Sequence, residues 1–115
     1  MAEPSKQVAT KVLFENDRVR VWDMTLKPGE ASKHHLHEND YLFVYLAKST
    51  LTLFAEGKNP ETSTNGPLFV EYREVGPGIV HHVRNDGDAD HREILVELKG
   101  GSRSKKPREP ETSDD

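Results

Sequence analysis

Residues 29–41 read GEASKHHLHENDY and hold three of the chain's six histidines. In an extended strand, residues i and i+2 project from one face and i+1 from the other. His35 and His37 then share a face and can reach one ion, while His34 points away. A second histidine pair, His81-His82, lies in GPGIVHHVRN at residues 76–85, where the same parity separates the two. A His-x-His pair alone is a weak metal signal, because a good site needs at least three convergent ligands. Neutral imidazole serves zinc, iron, nickel and copper alike. His91 sits in the polar run DGDADHRE and reads as a solvated loop residue.

Around these stretches the chain is patterned as β structure. VRVWDMTL (19–26) ends at Lys27-Pro28-Gly29, YLFVYL (41–46) and LTLF (51–54) are short apolar runs, and LFVEY (68–72), IVHHV (79–83) and EILVEL (93–98) follow Gly- or Pro-rich turns. No segment has a sustained 3.6-residue apolar period. Short strands with Gly/Pro punctuation predict an all-β sandwich or barrel. The region around 55–66 reads as an irregular loop.

A length of 115 residues suits one domain. We divide it into an N-terminal arm at 1–10, a β-barrel at 11–99 and a disordered charged tail at 100–115, where GGSRSKKPREPETSDD lacks any large apolar residue. A net charge of −4 with intermixed acids and bases predicts no nucleic-acid partner. No apolar run approaches the length of a membrane span, and no signal-type segment opens the chain, so a cytoplasmic protein without membrane attachment is expected. The lack of cysteine excludes disulfides, thiolate ligands and a cysteine nucleophile.

Two half-motifs together resemble the cupin superfamily. Gly29, five residues and His35-x-His37 match the first half of its first motif; Gly78, two residues, His81, three residues and Asn85 match its second, with the proline displaced to Pro77. The resemblance spans residues 11–99 and implies a double-stranded β-helix, or jelly-roll barrel, with His35, His37 and His81 as metal ligands. More narrowly, LFENDRVRVWDMTLKPGE followed by H-x-H-x-x-D-Y is similar to the small single-domain cupins known as β-alanine degradation proteins. That name stems from gene context and says little about chemistry.

The departure from the family is informative. Its glutamate ligand falls on Tyr41, so the resemblance implies a three-histidine site with Tyr41 as a ligand or as a catalytic hydrogen-bonding phenol. A core aromatic with its hydroxyl satisfied by backbone is the competing reading of Tyr41. Asp40 is one residue off, and Glu38 lies on the turn. Cupins lacking this glutamate include iron-dependent dioxygenases of thiols and β-diketones. The expected cofactor is therefore a divalent metal, Fe(II) before Zn(II), Ni(II) or Mn(II). The expected activity is a dioxygenase type on a small acid or dicarbonyl, with a Lewis-acid isomerase, lyase or hydrolase, or a non-catalytic binding protein, as alternatives.

Phe43 and Tyr45 share the parity of Tyr41 and are expected to line the substrate cavity, with Arg73, and Glu71 beside it, at the mouth. Trp22, Met24 and Leu26 read as core. Gly78 and Asn85 read as turn residues. The opposite face of 41–46, Leu42, Val44 and Leu46, needs a cover, which predicts a homodimer. His34 and His82 are candidates to meet across that dimer interface.

Overall fold

The computed structural model describes residues 4–103. The expectation for 104–115 lies outside them. Nine strands and no helical element make up the described chain: β1 Lys11–Glu15, β2 Val19–Leu26, β3 His35–His37, β4 Tyr41–Tyr45, β5 Ser49–Ala55, β6 Glu61–Asn65, β7 Val70–Arg73, β8 Ile79–Asn85 and β9 His91–Leu98. They form two antiparallel sheets, β1-β2-β9-β4-β7 and β3-β8-β5-β6. Consecutive strands repeatedly change sheet, as in a jelly roll, and the inner faces enclose one core. No described helix is long and apolar enough to cross a membrane.

Alternation in β2 and β4 builds that core. Trp22, Met24 and Leu26 are buried from one sheet position, and Tyr41, Phe43 and Tyr45 from another, joined by Leu51, Val75 and Leu95. Such rows of aromatic and branched side chains suit a pleated, half-buried surface. Two elements differ from the sequence expectation. Residues 61–65 form β6 rather than an irregular loop. This strand is almost wholly polar, and pairs of threonine hydroxyls hold it to β5, with Thr50–Thr64 and Thr52–Thr62 each at 2.7 Å. Strand β9 begins at His91, not at Glu93.

The arm before β1 is packed where it is described. The Ser5 amide donates to the His34 carbonyl at 3.0 Å, and the Leu36 amide donates to the Ser5 carbonyl at 2.8 Å. The arm thereby covers the free edge of β3 that would otherwise stay open. Val8 behind it is buried in the core. Beyond β9, Gly101 donates its amide to Asn39 Oδ1 at 2.8 Å, and Arg103 donates its amide to Asp40 Oδ2 at 2.9 Å. Asp40 Oδ1 accepts the Val75 amide at 2.9 Å, so this carboxylate fastens two chain segments rather than facing the histidines.

Asn85 ends β8 as a turn residue whose side chain is fully buried and also fastens neighbouring segments. Its Nδ2 donates to the Leu26 and Ala89 carbonyls, both at 2.9 Å, and its Oδ1 accepts the Gly87 amide at 2.9 Å. The Gly29 amide donates to the Asn85 carbonyl at 2.7 Å, which ties the loop before β3 to the end of β8. Replacing Asn85 with alanine strands buried polar groups on three segments. The expected loss is about 2–4 kcal/mol in chemical denaturation, and a loss below about 0.5 kcal/mol would show that these bonds do not hold the turn.

Candidate metal centre

One strand pairing assembles the histidines. In the β3–β8 register His35 faces His81 and His37 faces Ile79, so His37 lies diagonally from His81 on the same side. Opposite and diagonal neighbours on one sheet face are close enough for side chains to meet. Gly78 makes this pairing possible. Its φ is +128°, and a Cβ there would lie 3.2 Å from Leu36 Cδ1, so a larger residue would be both strained and crowded.

The three rings stand nearly perpendicular to one another. Centroids are 4.8 Å apart for His35–His37 and 4.7 Å for His35–His81 and His37–His81, with interplanar angles of 80°, 89° and 82°. One ligand nitrogen from each lies within 4.8 Å of the others. All three are buried, at 1%, 1% and 5% exposure. His35 Nδ1 donates to the Lys33 carbonyl at 2.6 Å, which places the proton on Nδ1 and leaves Nε2 with its lone pair. His37 Nδ1 and His81 Nδ1 are buried without a hydrogen-bond partner among the described residues.

Burial suppresses protonation of all three. It lowers His35 to about 4, partly opposed by the Lys33 carbonyl. Burial, then His81, His35 and Arg73, lowers His37 to about 2. Burial, then His35 and Arg73, lowers His81 to about 3. Three neutral imidazoles with converging nitrogens and two orphaned buried ring atoms fit a divalent transition-metal ion.

Tyr41, at the position of the family's glutamate, stacks on His37 with ring centroids 4.1 Å apart and an interplanar angle of 15°. Burial raises its pKa, so the side chain is a neutral phenol at neutral pH. Glu38 is exposed and reaches Lys6 at 3.5 Å, away from the histidines. The described donor set is three histidines without a carboxylate.

These residues line one end of a cavity of about 400 Å³, and Phe43, Tyr45, Glu71 and Arg73 also line it. Arg73 pairs with Tyr41 across β4 and β7. Its Nη2 meets Glu71 Oε2 at 3.1 Å, its guanidinium lies 6.0 Å from the Phe43 ring centre, and its Nε is buried without a partner among the described residues. The guanidinium thus brings a fixed positive charge to the histidine side of the cavity.

Two sequence expectations need correction. His91 is not a solvated loop residue. It is fully buried, with Nδ1 2.7 Å from Ser49 Oγ and Nε2 2.7 Å from Glu93 Oε1. On β9 it belongs to the inward row His91, Glu93, Leu95 and Glu97, which the apolar pattern of the strand does not reveal. His34 and His82 do not need two subunits to meet. Within one chain their Nδ1 atoms are 3.4 Å apart, and His82 stacks on Phe54 at 4.8 Å.

Comparison with solved structures agrees with this architecture. A cupin domain from Bordetella pertussis Tohama I aligns with a TM-score of 0.72 and 26% identity, covering 87% of this chain and 99% of that one. An RmlC-like cupin family protein with a double-stranded β-helix fold from Methanocaldococcus jannaschii aligns with a TM-score of 0.60 and 17% identity over 85% of each chain. No protein-family model matches the sequence, and no curated protein matches it significantly. The fold is a jelly-roll barrel with a possible divalent-metal site of three histidines. The chain is a small member of the cupin superfamily.

The buried imidazoles give the metal-free protein a defined pH response. Unfolded histidines take up protons near 6.5, while the folded ones stay neutral down to about 4 or lower. The unfolded chain therefore binds more protons below that value, and stability falls as pH falls. Denaturation of the metal-free protein should show a loss on the order of 5 kcal/mol between about pH 7 and 5, roughly 2 kcal/mol from each histidine. The slope should shrink by up to one proton in His81→Gln. A wild-type stability that is flat or rises over this interval would contradict neutral burial.

Proposed function

We propose that this cupin is a metal-dependent enzyme acting on a small anionic molecule, with a dioxygenase-type activity on a small acid or dicarbonyl. The observation that carries the reading is the donor set: three neutral imidazoles converge beside the Arg73 guanidinium, with no carboxylate among them. Such a set leaves a divalent ion its full charge, which favours a chelating anion over a neutral ligand. His35, His37 and His81 would hold the ion. Ferrous iron is the favoured metal, and the chemistry it supplies when bound is activation of dioxygen beside a chelated substrate.

The chain's own groups support this use. Arg73 offers charged donors to a substrate carboxylate or enolate. Tyr41, held against His37, presents a protonated phenol that can donate a hydrogen bond to the same anion. Phe43, Tyr45 and Phe69 pack in sequence along the wall, with centroids 5.7 Å apart for Phe43–Tyr45 and 5.2 Å for Tyr45–Phe69. That wall accepts a planar or apolar substrate body and excludes water from it. The homodimer expectation rests on Leu42, Val44 and Leu46, of which Leu42 and Val44 are half-buried and Leu46 is exposed; Val70 and Tyr72, paired with Val44 and Leu42, extend this face and are exposed.

Protein purified without added metal should contain iron near one equivalent per chain, and His35→Ala should abolish it. The iron-loaded protein should consume oxygen with one member of a panel of β-dicarbonyl, thiol and phenolic acids. Zinc or nickel in place of iron would favour Lewis-acid chemistry. Metal without turnover of any kind would leave a binding protein. Arg73→Gln should weaken binding of a carboxylate ligand by about tenfold or more while metal content stays unchanged, as measured by calorimetry and elemental analysis.

A further inference from the structure

The far end of the cavity carries a second polar group that the metal reading does not use. Glu93 lines the cavity, yet it is only 5% exposed. It faces Tyr45 across the β4–β9 pairing, whereas Tyr41, next to the histidines, faces Glu97. Four residues of extended chain, about 13 Å, separate those two rungs. Glu93 therefore does not belong to the histidine cluster.

The hydrogen-bond chain behind Glu93 fixes what it shows to the cavity. Ser49 Oγ donates to the Ala47 carbonyl at 3.2 Å, so toward His91 it is an acceptor. His91 Nδ1 must then carry a proton and donate to Ser49 at 2.7 Å. That leaves the 2.7 Å contact between His91 Nε2 and Glu93 Oε1 to hold one shared proton. Either the proton sits on Nε2 and Glu93 is a carboxylate, or it sits on Oε1 and points at neutral His91. In both arrangements the second carboxyl oxygen keeps its lone pairs and has no proton to give. The order Ser49–His91–Glu93 looks like a nucleophile triad but faces the other way. The serine is turned to backbone and does not line the cavity, and the carboxyl is the member of the three that does.

We propose that Glu93, positioned by His91 and Ser49, is an acceptor subsite for a hydrogen-bond donor at the far end of the ligand. The ligand class is a bifunctional small molecule: an acid at the histidine–Arg73 end, a planar or apolar body along Phe43 and Tyr45, and a hydroxyl or amine at Glu93. This rests on the metal-and-anion reading above for the ligand's first end only. Glu93 is a binding residue here, and His91 and Ser49 are positioning residues.

The test is calorimetry on the metal-loaded protein with 3-(4-hydroxyphenyl)propanoate, 3-phenylpropanoate and 3-(4-methoxyphenyl)propanoate. The hydroxyl compound should bind about tenfold more tightly than either of the others, because the methyl ether keeps the oxygen but lacks the proton. Equal affinity of all three, or no binding of any, would overturn the proposal while leaving a measured metal content intact. Glu93→Met should reduce the hydroxyl preference to within about twofold. Glu93→Gln should retain it, because the amide can donate to His91 Nε2 and turn its carbonyl to the cavity. A preference that survives in Glu93→Met would overturn the assignment. Should that variant not fold, the three-ligand comparison on wild-type protein decides alone. If the protein holds no metal, the same comparison on the protein as purified separates the two readings: a persisting hydroxyl preference supports the Glu93 subsite although the metal reading has failed.

Discussion

Keeping three imidazoles neutral and convergent inside a barrel is the constraint on which the rest of this structure depends. A buried ring nitrogen without a partner costs free energy, and two of the three histidines carry one. The fold bears that cost because many backbone bonds converge on a short edge strand. Strand β3 has only three residues. It is held by β8 on one side, by the arm at Ser5 on the other, and by the Gly29–Asn85 bond at its approach. The Lys33 carbonyl sets the tautomer of His35, and stacking by Tyr41 limits the rotation of His37. A bound ion would repay part of the desolvation, which links folding to metal affinity.

The histidine cluster was legible in the sequence by two routes. Strand parity selects His35 and His37 over His34, and the resemblance to the second cupin motif selects His81; the β3–β8 register then brings His81 rather than His82 to the same face. Parity also identified the inward row Tyr41, Phe43 and Tyr45. Other features had no such signal. Strand β6 reads ETSTN, so no apolar alternation marks it, and its stability comes from hydroxyl pairs that exist only once β5 is beside it. Asn85 looks like a turn residue because its three side-chain bonds join segments that are far apart or irregular in sequence.

Strand β9 shows why hydrophobicity can misassign a face. HREILVEL offers Ile94, Val96 and Leu98 as an apolar set, and a binary pattern would turn them inward. The structure instead buries His91, Glu93, Leu95 and Glu97. The interior charges are tolerated because each has a local partner. Glu97 Oε1 accepts the Trp22 indole N–H at 2.7 Å and meets Arg20 at 3.4 Å, and Glu93 meets His91. The apolar alternate row is left on the outer face, where it adjoins Leu42 and Val44 of β4 through the pairs Val96–Leu42 and Ile94–Val44.

The same partnering divides the cavity chemically. At one end stand neutral histidines and a guanidinium paired with Glu71, at the other a carboxyl that shares one proton with His91, and between them an aromatic wall. Tyr41 in place of a glutamate belongs to this division. A carboxylate there would cancel one charge of a bound ion and would also sit beside Arg73 on the neighbouring strand β7, where it would compete with a ligand's acid for the guanidinium. A neutral phenol leaves the ion's charge to the ligand and adds no second carboxylate beside Arg73, which already meets Glu71 at 3.1 Å. Of the inward glutamates on β9, Glu93 lies four residues along the strand from Glu97, the partner of Tyr41, and Glu97 is occupied by Trp22 and Arg20, while Glu71 on β7 lines the cavity and pairs with Arg73. The arrangement places the histidines, Arg73 and its partner Glu71 at one part of a cavity of about 400 Å³ and the Glu93 carboxyl at another, and that asymmetry orients an asymmetric ligand before any bond to it changes.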